Sequence, residues 1–524
     1  MEQVRLALTI SGAVSLGAYE GGALAALILG VQSLAERPEP PLRIDAIGGA
    51  SAGSITAMLT ARCLLDGLDP IHVMAESWVR KDSLAAMRTR DPHAPLSIET
   101  LRRSAVELLD PPAPHRGRPH QAAPITIHMA LGCLRGLNFR MGRLDGPPIE
   151  ASTFMDWGEF TLHPGMTVED YTEPRDASVV DFALASGANT FGFPPKALDR
   201  RVRPEDVALL DRRRITNLPP DWSGWLWYTD GGTLNNEPLG RTFDIANDIV
   251  ADGAGRRVHV LIHPHPEAVS TDTGWTIPTE RPDWTTTVIR CDRLQRTRSI
   301  YDDLRQAEKT NSRIIWAEHL RNAIMPLLEA DEGTWSDTLR PVLEAISEQK
   351  AAIDLKEPDA INPSPEAVEQ GDAAVESDLD AIQLFTRVLA AATGLSGKHP
   401  ARIEVVSPLL LPEAKDRPVE DLLAGEFLLH FGGFLNERLR WNDFELGYRS
   451  VQEWLKGLEA LGVDPADGDV ARAAVDQGYD PRWKTGWGRR TLRTLPWQDR
   501  LEVGRLAMHL GRVTVGELLT RKRR

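Results

Sequence analysis

The chain is poor in cysteine and has no long apolar run. Its three cysteines in 524 residues, Cys63, Cys133 and Cys291, lie far apart. They form no C-x-x-C pair and no even-numbered set. That disfavours a disulfide framework and a zinc site and favours a reducing compartment. No segment holds about 18 uninterrupted apolar residues, so no spanning helix is expected. The start, Met1-Glu2-Gln3-Val4-Arg5, has no basic stretch ahead of an apolar one and runs straight into a strand-like pattern. No signal peptide is expected, and a cytoplasmic location is the default. Positive charge is in deficit, with 60 Lys and Arg against 75 Asp and Glu and a net charge of −15. Such a surface repels phosphate backbones, which excludes nucleic acid as the main partner. Hydrophobic residues at 42% and charged residues at 26% are globular values.

The pattern begins with alternating Val4–Ile10, a loop of small residues Ser11–Gly17, and a helical stretch Ala18–Glu36 that ends at Pro38, Pro40 and Pro41. A second strand, Leu42–Gly48, leads through Gly49-Ala50-Ser51-Ala52-Gly53 into another helical stretch, Ser54–Leu65. Strand, helix, strand, helix in this order predicts parallel strands joined by crossovers. Residues 80–124 are rich in Pro, Arg and His and read as an excursion over the surface. Further strands are expected at Ile125–Leu131, Leu226–Thr229 and Val258–Ile262. The expected organisation is a catalytic domain over 1–270, a helical segment over 271–355, an acidic linker over 356–380 and a helical region over 381–524. The last 44 residues carry twelve Lys and Arg against three Asp and Glu. A solvated tail explains this blandly; contact with an anionic membrane is the sharper reading, at ~1 kcal/mol per near-surface cation.

Gly49-Ala50-Ser51-Ala52-Gly53 fits G-x-S-x-G. A serine at a sharp strand-to-helix turn projects its hydroxyl above the sheet edge, and glycines two positions either side let strand and helix approach. The helix that follows aims its N-terminal N–H groups at a developing oxyanion. By itself the pentapeptide is common; strand, elbow and helix in that order make it specific. A serine also needs a base. Among thirteen histidines, only His263 and His265 follow a strand. More informative is Tyr228-Thr229-Asp230-Gly231-Gly232-Thr233-Leu234-Asn235-Asn236-Glu237-Pro238, where an aspartate at a strand end precedes two glycines.

These blocks, in this order, resemble those of patatin-like phospholipases. The loop Ser11–Tyr19, the elbow Gly49–Gly53, the aspartate motif Asp230-Gly231-Gly232 and, more weakly, Ala185–Pro195 correspond to the family's segments, across roughly half the chain. The resemblance implies a three-layer αβα, modified α/β-hydrolase fold with a mainly parallel sheet, here followed by a mostly helical C-terminal region. It implies a lipid acyl hydrolase that uses a serine–aspartate dyad and needs no cofactor or metal. Ser51 is then the nucleophile and Asp230 the base, and Gly12, Ala13 and Val14 supply the oxyanion hole. Lipid or phospholipid is the implied substrate, with a peripheral membrane contact.

The sequence departs from the family's glycine loop, Gly-Gly-Gly-x-Arg/Lys-Gly, and reads Gly12-Ala13-Val14-Ser15-Leu16-Gly17. Val14 is β-branched and resists φ > 0, so a loop that demands such an angle there would have a weakened hole. Two rivals follow. One is a Ser-His-Asp esterase using a histidine such as His263. The other is a catalytically weak lipid-binding or scaffold protein. Trp222, Trp225 and Trp227 precede Asp230; they either pack the core or line an acyl pocket or membrane interface. The block Phe431-Gly432-Gly433-Phe434 and Asp443–Gly447 is expected as a helix packed on the core. Oligomeric state and head-group preference are not set by the sequence.

Overall fold

The segment Val4–Ile10 forms β1, buried at every position, as a central strand covered on both faces requires. Its partners are β2 (Leu42–Gly49) and β7 (Arg256–Ile262), both parallel to it. Among the described residues the sheet has eight strands. The others are β3 (Ile125–Met141), β4 (Ile149–Leu162), β5 (Lys196–Asp199), β6 (Trp225–Asp230) and β8 (Arg402–Val406). The order is β5-β6-β3-β2-β1-β7-β8, with β4 paired to β3. The β2–β3 and β7–β8 pairs are parallel, whereas β4 and β6 run antiparallel to β3 and β5 runs antiparallel to β6.

The computed structural model describes residues 3–265, 303–316 and 401–521, apart from short gaps, the longest at 116–122, 142–148, 201–216 and 250–255. Of the expected helical segment 271–355, only 303–316 is described, and it is helical. The expected linker 356–380, Cys291 and the last three residues of the basic tail lie outside the described residues.

Helices cover both faces of the sheet. Leu6, Leu8 and Ile10 join the main core with α1 (Gly17–Ser33) and α2 (Ala52–Asp66). Ala7, one residue out of phase, meets helical Ile245 and Ala246 on the opposite face. The stretch Val14–Ser33 is long and apolar enough on average to cross a membrane, yet 89% of its most apolar window is buried inside the protein. An uninterrupted-run criterion misses it because Tyr19, Glu20 and several glycines punctuate it.

Residues 80–124 contain more structure than the expected surface excursion. A helix, α3 (Ile98–Leu109), is capped by Ser97 and buries Ala105, Leu108 and Leu109. Its apolar spacing is masked in the sequence by the Pro- and Arg-rich flanks. α4 (Val179–Ser186) is buried throughout and packs on β3, β5 and β6. α5 (Leu239–Asp248) packs on β1 and β2.

The C-terminal region is mostly helical, with α6 (Glu437–Trp454), α7 (Pro465–Gly478) and α8 (Trp497–Arg521). It also gives β8 to the common sheet. α6 packs on α1 at backbone contact. A Cβ at Gly22 would lie 1.9 Å from the Phe444 carbonyl oxygen, and one at Gly447 would lie 1.9 Å from that of Tyr19. Any side chain at either position would separate the two helices.

Candidate active site

Ser51 stands between β2 and α2 with φ 52° and ψ −122°. A non-glycine residue in that region is strained, and such strain persists only where surrounding contacts hold it. The contacts here are tight. A Cβ at Gly49 would meet the Gly53 carbonyl oxygen at 2.5 Å, and one at Gly53 would meet that of Ile10 at 2.3 Å. Although Ser51 occupies the N-cap of α2, its hydroxyl makes no capping bond. The residue is 4% exposed.

The serine's own N–H is engaged. It donates to Ser186 Oγ at 3.0 Å. Ser186 Oγ donates to the Ala130 carbonyl at 2.6 Å and lies 2.8 Å from Ser54 Oγ. A hydroxyl has one proton to give, so Ser54 is the donor to Ser186. This buried network ties the elbow to β3.

Asp230 closes β6 and is 2% exposed. Its Oδ1 accepts from the Gly232 N–H at 2.8 Å, its Oδ2 accepts from Asn189 Nδ2 at 3.0 Å, and its backbone N–H donates to the Ala188 carbonyl at 3.0 Å. Gly231 passes so close to β3 that a Cβ would lie 1.9 Å from the Ala130 carbonyl oxygen. Behind Asp230, Tyr228 donates to Asp156 at 2.6 Å. The buried Arg200 lies 3.5 Å from the same carboxylate and 4.7 Å above the Phe182 ring. These groups anchor β6 from below.

Sheet register brings the two ends together. Gly49 is level with Met129 on β3, and Leu131 is level with Asp230 on β6. The chain leaves β2 after Gly49 and turns at Ser51, on the same side of the sheet as the end of β6 at Asp230. Asn236 joins the two sides. Its Oδ1 lies 2.3 Å from where a Cβ of Gly12 would stand, against Ser51 Cβ at 3.1 Å. The same oxygen lies 2.6 Å from where a Cβ of Gly232 would stand, beside Asp230 Oδ1 at 3.1 Å. Gly12, Ser51, Gly232, Asp230 and Asn236 therefore form one cluster.

The glycine loop runs over the serine. The Gly12 N–H is already donated to the Asn236 carbonyl at 2.9 Å. That leaves Ala13 and Val14, whose N–H groups have no protein partner among the described residues. Val14 sits at φ 52°, the angle its side chain resists. The left-handed conformation costs an L-residue about 1–2 kcal/mol. Its side chain packs against the cluster of Phe193, Phe431 and Phe434. Nearby, Ser11 donates to Glu20 Oε1 at 3.2 Å, and complete burial pushes the Glu20 carboxyl well above its usual range.

His263 is already engaged. Its Nδ1 accepts the His265 N–H at 2.9 Å, so the ring proton is on Nε2, which faces Glu237 Oε1 at 3.0 Å. Asn236 Nδ2 donates to the same Glu237 oxygen at 2.5 Å. Trp222 packs on the core, but Trp225 and Trp227 are 40% and 56% exposed. Among the described residues no His, Cys, Asp and Glu side chains are grouped to hold a metal ion.

Ser186 and Asn189 are the positions that sequence reasoning did not single out. Both lie in the small-residue block Ala185–Pro195, whose spacing hinted at the family but not at these bonds.

A strained serine at a strand-to-helix turn stands on a mostly parallel sheet covered by helices, the architecture of a three-layer α/β fold. Residues 8–242 match the model of the patatin-like phospholipase family. No curated protein matches the chain. Among solved structures, that of VipD from Legionella pneumophila is similar over 92% of this chain and 89% of that one, at 14% identity and a TM-score of 0.18.

Proposed function

We propose that the protein hydrolyses fatty acyl esters of phospholipids or other polar lipids through a Ser51–Asp230 dyad. The patatin-like domain supports a lipid acyl hydrolase in general. The observation that carries the finer reading is the convergence of Ser51, at its strained angle, and Asp230 on one cluster around Asn236.

In this reading Ser51 Oγ attacks the acyl carbonyl carbon and its proton passes to Asp230. The carbonyl π pair moves to oxygen, which accepts from the N–H groups of Ala13 and Val14. Collapse expels the alcohol, which takes the proton from Asp230 and leaves an acyl-enzyme. Water then repeats the sequence in reverse roles and releases the acid. Gly12 supports the loop through Asn236 rather than donating to the oxyanion. The engaged ring of His263 favours the dyad over a triad. Val14 at φ 52° favours an enzyme over a bare lipid-binding protein: the loop adopts the angle that its residue type resists.

Exposed Trp225 and Trp227 on the strand that carries Asp230 support a peripheral membrane contact. An indole has an apolar body and a polar N–H suited to the interface.

The test is a panel of phospholipids, neutral glycerides and soluble esters, assayed with wild type, Ser51→Ala and Asp230→Asn. Wild type is expected to release fatty acid, with each variant lower by about 10³-fold or more. Comparable turnover by Ser51→Ala overturns the assignment.

A further inference from the structure

The matched family domain ends at residue 242, yet the glycine loop is held by residues far beyond it. The Ser15 N–H donates to the His430 carbonyl at 3.0 Å, and the Ser15 hydroxyl donates to that same carbonyl. Ser15 Oγ in turn accepts the Gly433 N–H at 3.0 Å. One buried side chain thus makes both ends of a clamp across more than 400 residues. It sits directly after Val14, the strained position of the loop.

The far side of the clamp is itself fixed. Gly433 donates its N–H to Ser15 Oγ and its carbonyl accepts from Arg440 Nη1 at 2.9 Å, while Arg440 Nε donates to the Val79 carbonyl at 2.7 Å. Asp443, fully buried, accepts the N–H groups of Ala424 and Gly425 at 2.6 and 2.8 Å. A Cβ at Gly433 would lie 2.7 Å from Ser15 Oγ, so a side chain there displaces the Ser15 hydroxyl. The blocks Phe431–Phe434 and Asp443–Gly447, which the family resemblance leaves without a role, both belong to this assembly.

We propose that Ser15 is a positioning residue, and that the turn His430–Gly433 holds the glycine loop in the conformation that presents the Ala13 and Val14 N–H groups to the oxyanion. The inference rests on the hydrolase reading above. It adds that the matched domain alone does not carry a complete oxyanion hole. Without the clamp, the Val14 backbone relaxes from φ 52° and the loop loses its donors. The loss falls on turnover, because the oxyanion forms only in the transition state.

The test uses the full-length chain with Ser15→Ala, Gly433→Ala and the double variant. Each is assayed for kcat and KM on a soluble ester and for hydrogen exchange of the peptide spanning residues 11–16. Each single variant is expected to lose at least about tenfold in kcat with KM changed less than about threefold, and to exchange faster over 11–16. The double variant is expected to be no worse than either single one, since both break one device. If Ser15→Ala does not fold, Ser15→Cys, which keeps the shape and weakens the bonds, replaces it. A kcat within twofold of wild type, or a loss with unchanged exchange over 11–16, overturns the proposal. A wild type that hydrolyses no ester defeats the hydrolase reading instead; the clamp is then judged on exchange alone.

Discussion

Asn189 holds Asp230 with one amide hydrogen bond: its Nδ2 donates to the carboxylate Oδ2 at 3.0 Å, while its own Oδ1 accepts the Phe191 N–H at 3.0 Å. The second bond fixes the amide's orientation, so the first points at the carboxylate. Asn189→Leu removes one donor from a buried carboxylate that keeps the Gly232 N–H. The expected result is a kcat about 10–100-fold lower with KM little changed, since general-base catalysis as a whole supplies about 10²–10⁴. Steady-state kinetics on a soluble ester checks it, and an unchanged kcat removes Asn189 from the machinery.

His263 separates the dyad from the triad. His263→Ala leaves Glu237 buried with one partner fewer, which costs about 1–3 kcal/mol of stability. Turnover per folded molecule is expected to stay within about fivefold of wild type, because losing a true general base costs 10²-fold or more. Chemical denaturation and kcat are measured on the same sample. A collapse of kcat at full folding points to the triad.

Trp225 and Trp227 should matter for membranes and not for soluble esters. The variant with both changed to Ala is expected to bind anionic phospholipid vesicles more weakly and hydrolyse their lipids several-fold more slowly, while soluble-ester kinetics change little. Vesicle co-sedimentation with parallel assays reads this out. Equal binding by the variant rules out these two side chains as the contact.

The framework of the site was legible in the sequence because it is made of local patterns. VRLALTI, LRIDAIGG and the two helices that follow them announce strand and helix within one or two turns of chain. The elbow at Ser51 is written in the glycines two positions either side of it and the turn after Asp230 in two consecutive ones, since a Cβ at these positions would meet backbone or side-chain atoms. What was hidden depends on partners distant in the chain. Ser186 and Asn189 look like ordinary members of a small-residue loop until β6 comes alongside. Ser15 reads as a spacer until His430 and Gly433 are placed against it. β8, whose sequence is RIEVV, is short with two of its five residues charged, and gains its identity only from pairing with β7. Val14 was expected to resist a left-handed angle. The physical argument holds, but the clamp beside it and the Phe193, Phe431 and Phe434 cluster hold it there.

Asp443 makes the C-terminal anchor sensitive to pH. Burial lifts its carboxyl from the ordinary 3.8 to about 7, against the lowering effect of the Ala424 and Gly425 N–H groups and the Asn442 amide. The folded protein therefore holds this proton more tightly than the unfolded chain does. The stabilisation is full below about pH 4, is lost as pH rises to about 7, and stays lost above that. The unfolding free energy of wild type relative to Asp443→Asn is expected to fall across this window and to level off above about pH 8. Urea titrations at several pH values check it; a difference that is flat from about pH 4 to 8 contradicts it.

The most direct measurement is the site of covalent attack by a fluorophosphonate ester, mapped by peptide mass. The dyad predicts rapid labelling confined to Ser51 in the wild type and labelling slowed by orders of magnitude in a folded Asp230→Asn protein. A folded wild type that takes no label on Ser51, or an Asp230→Asn variant that labels at the wild-type rate, contradicts it.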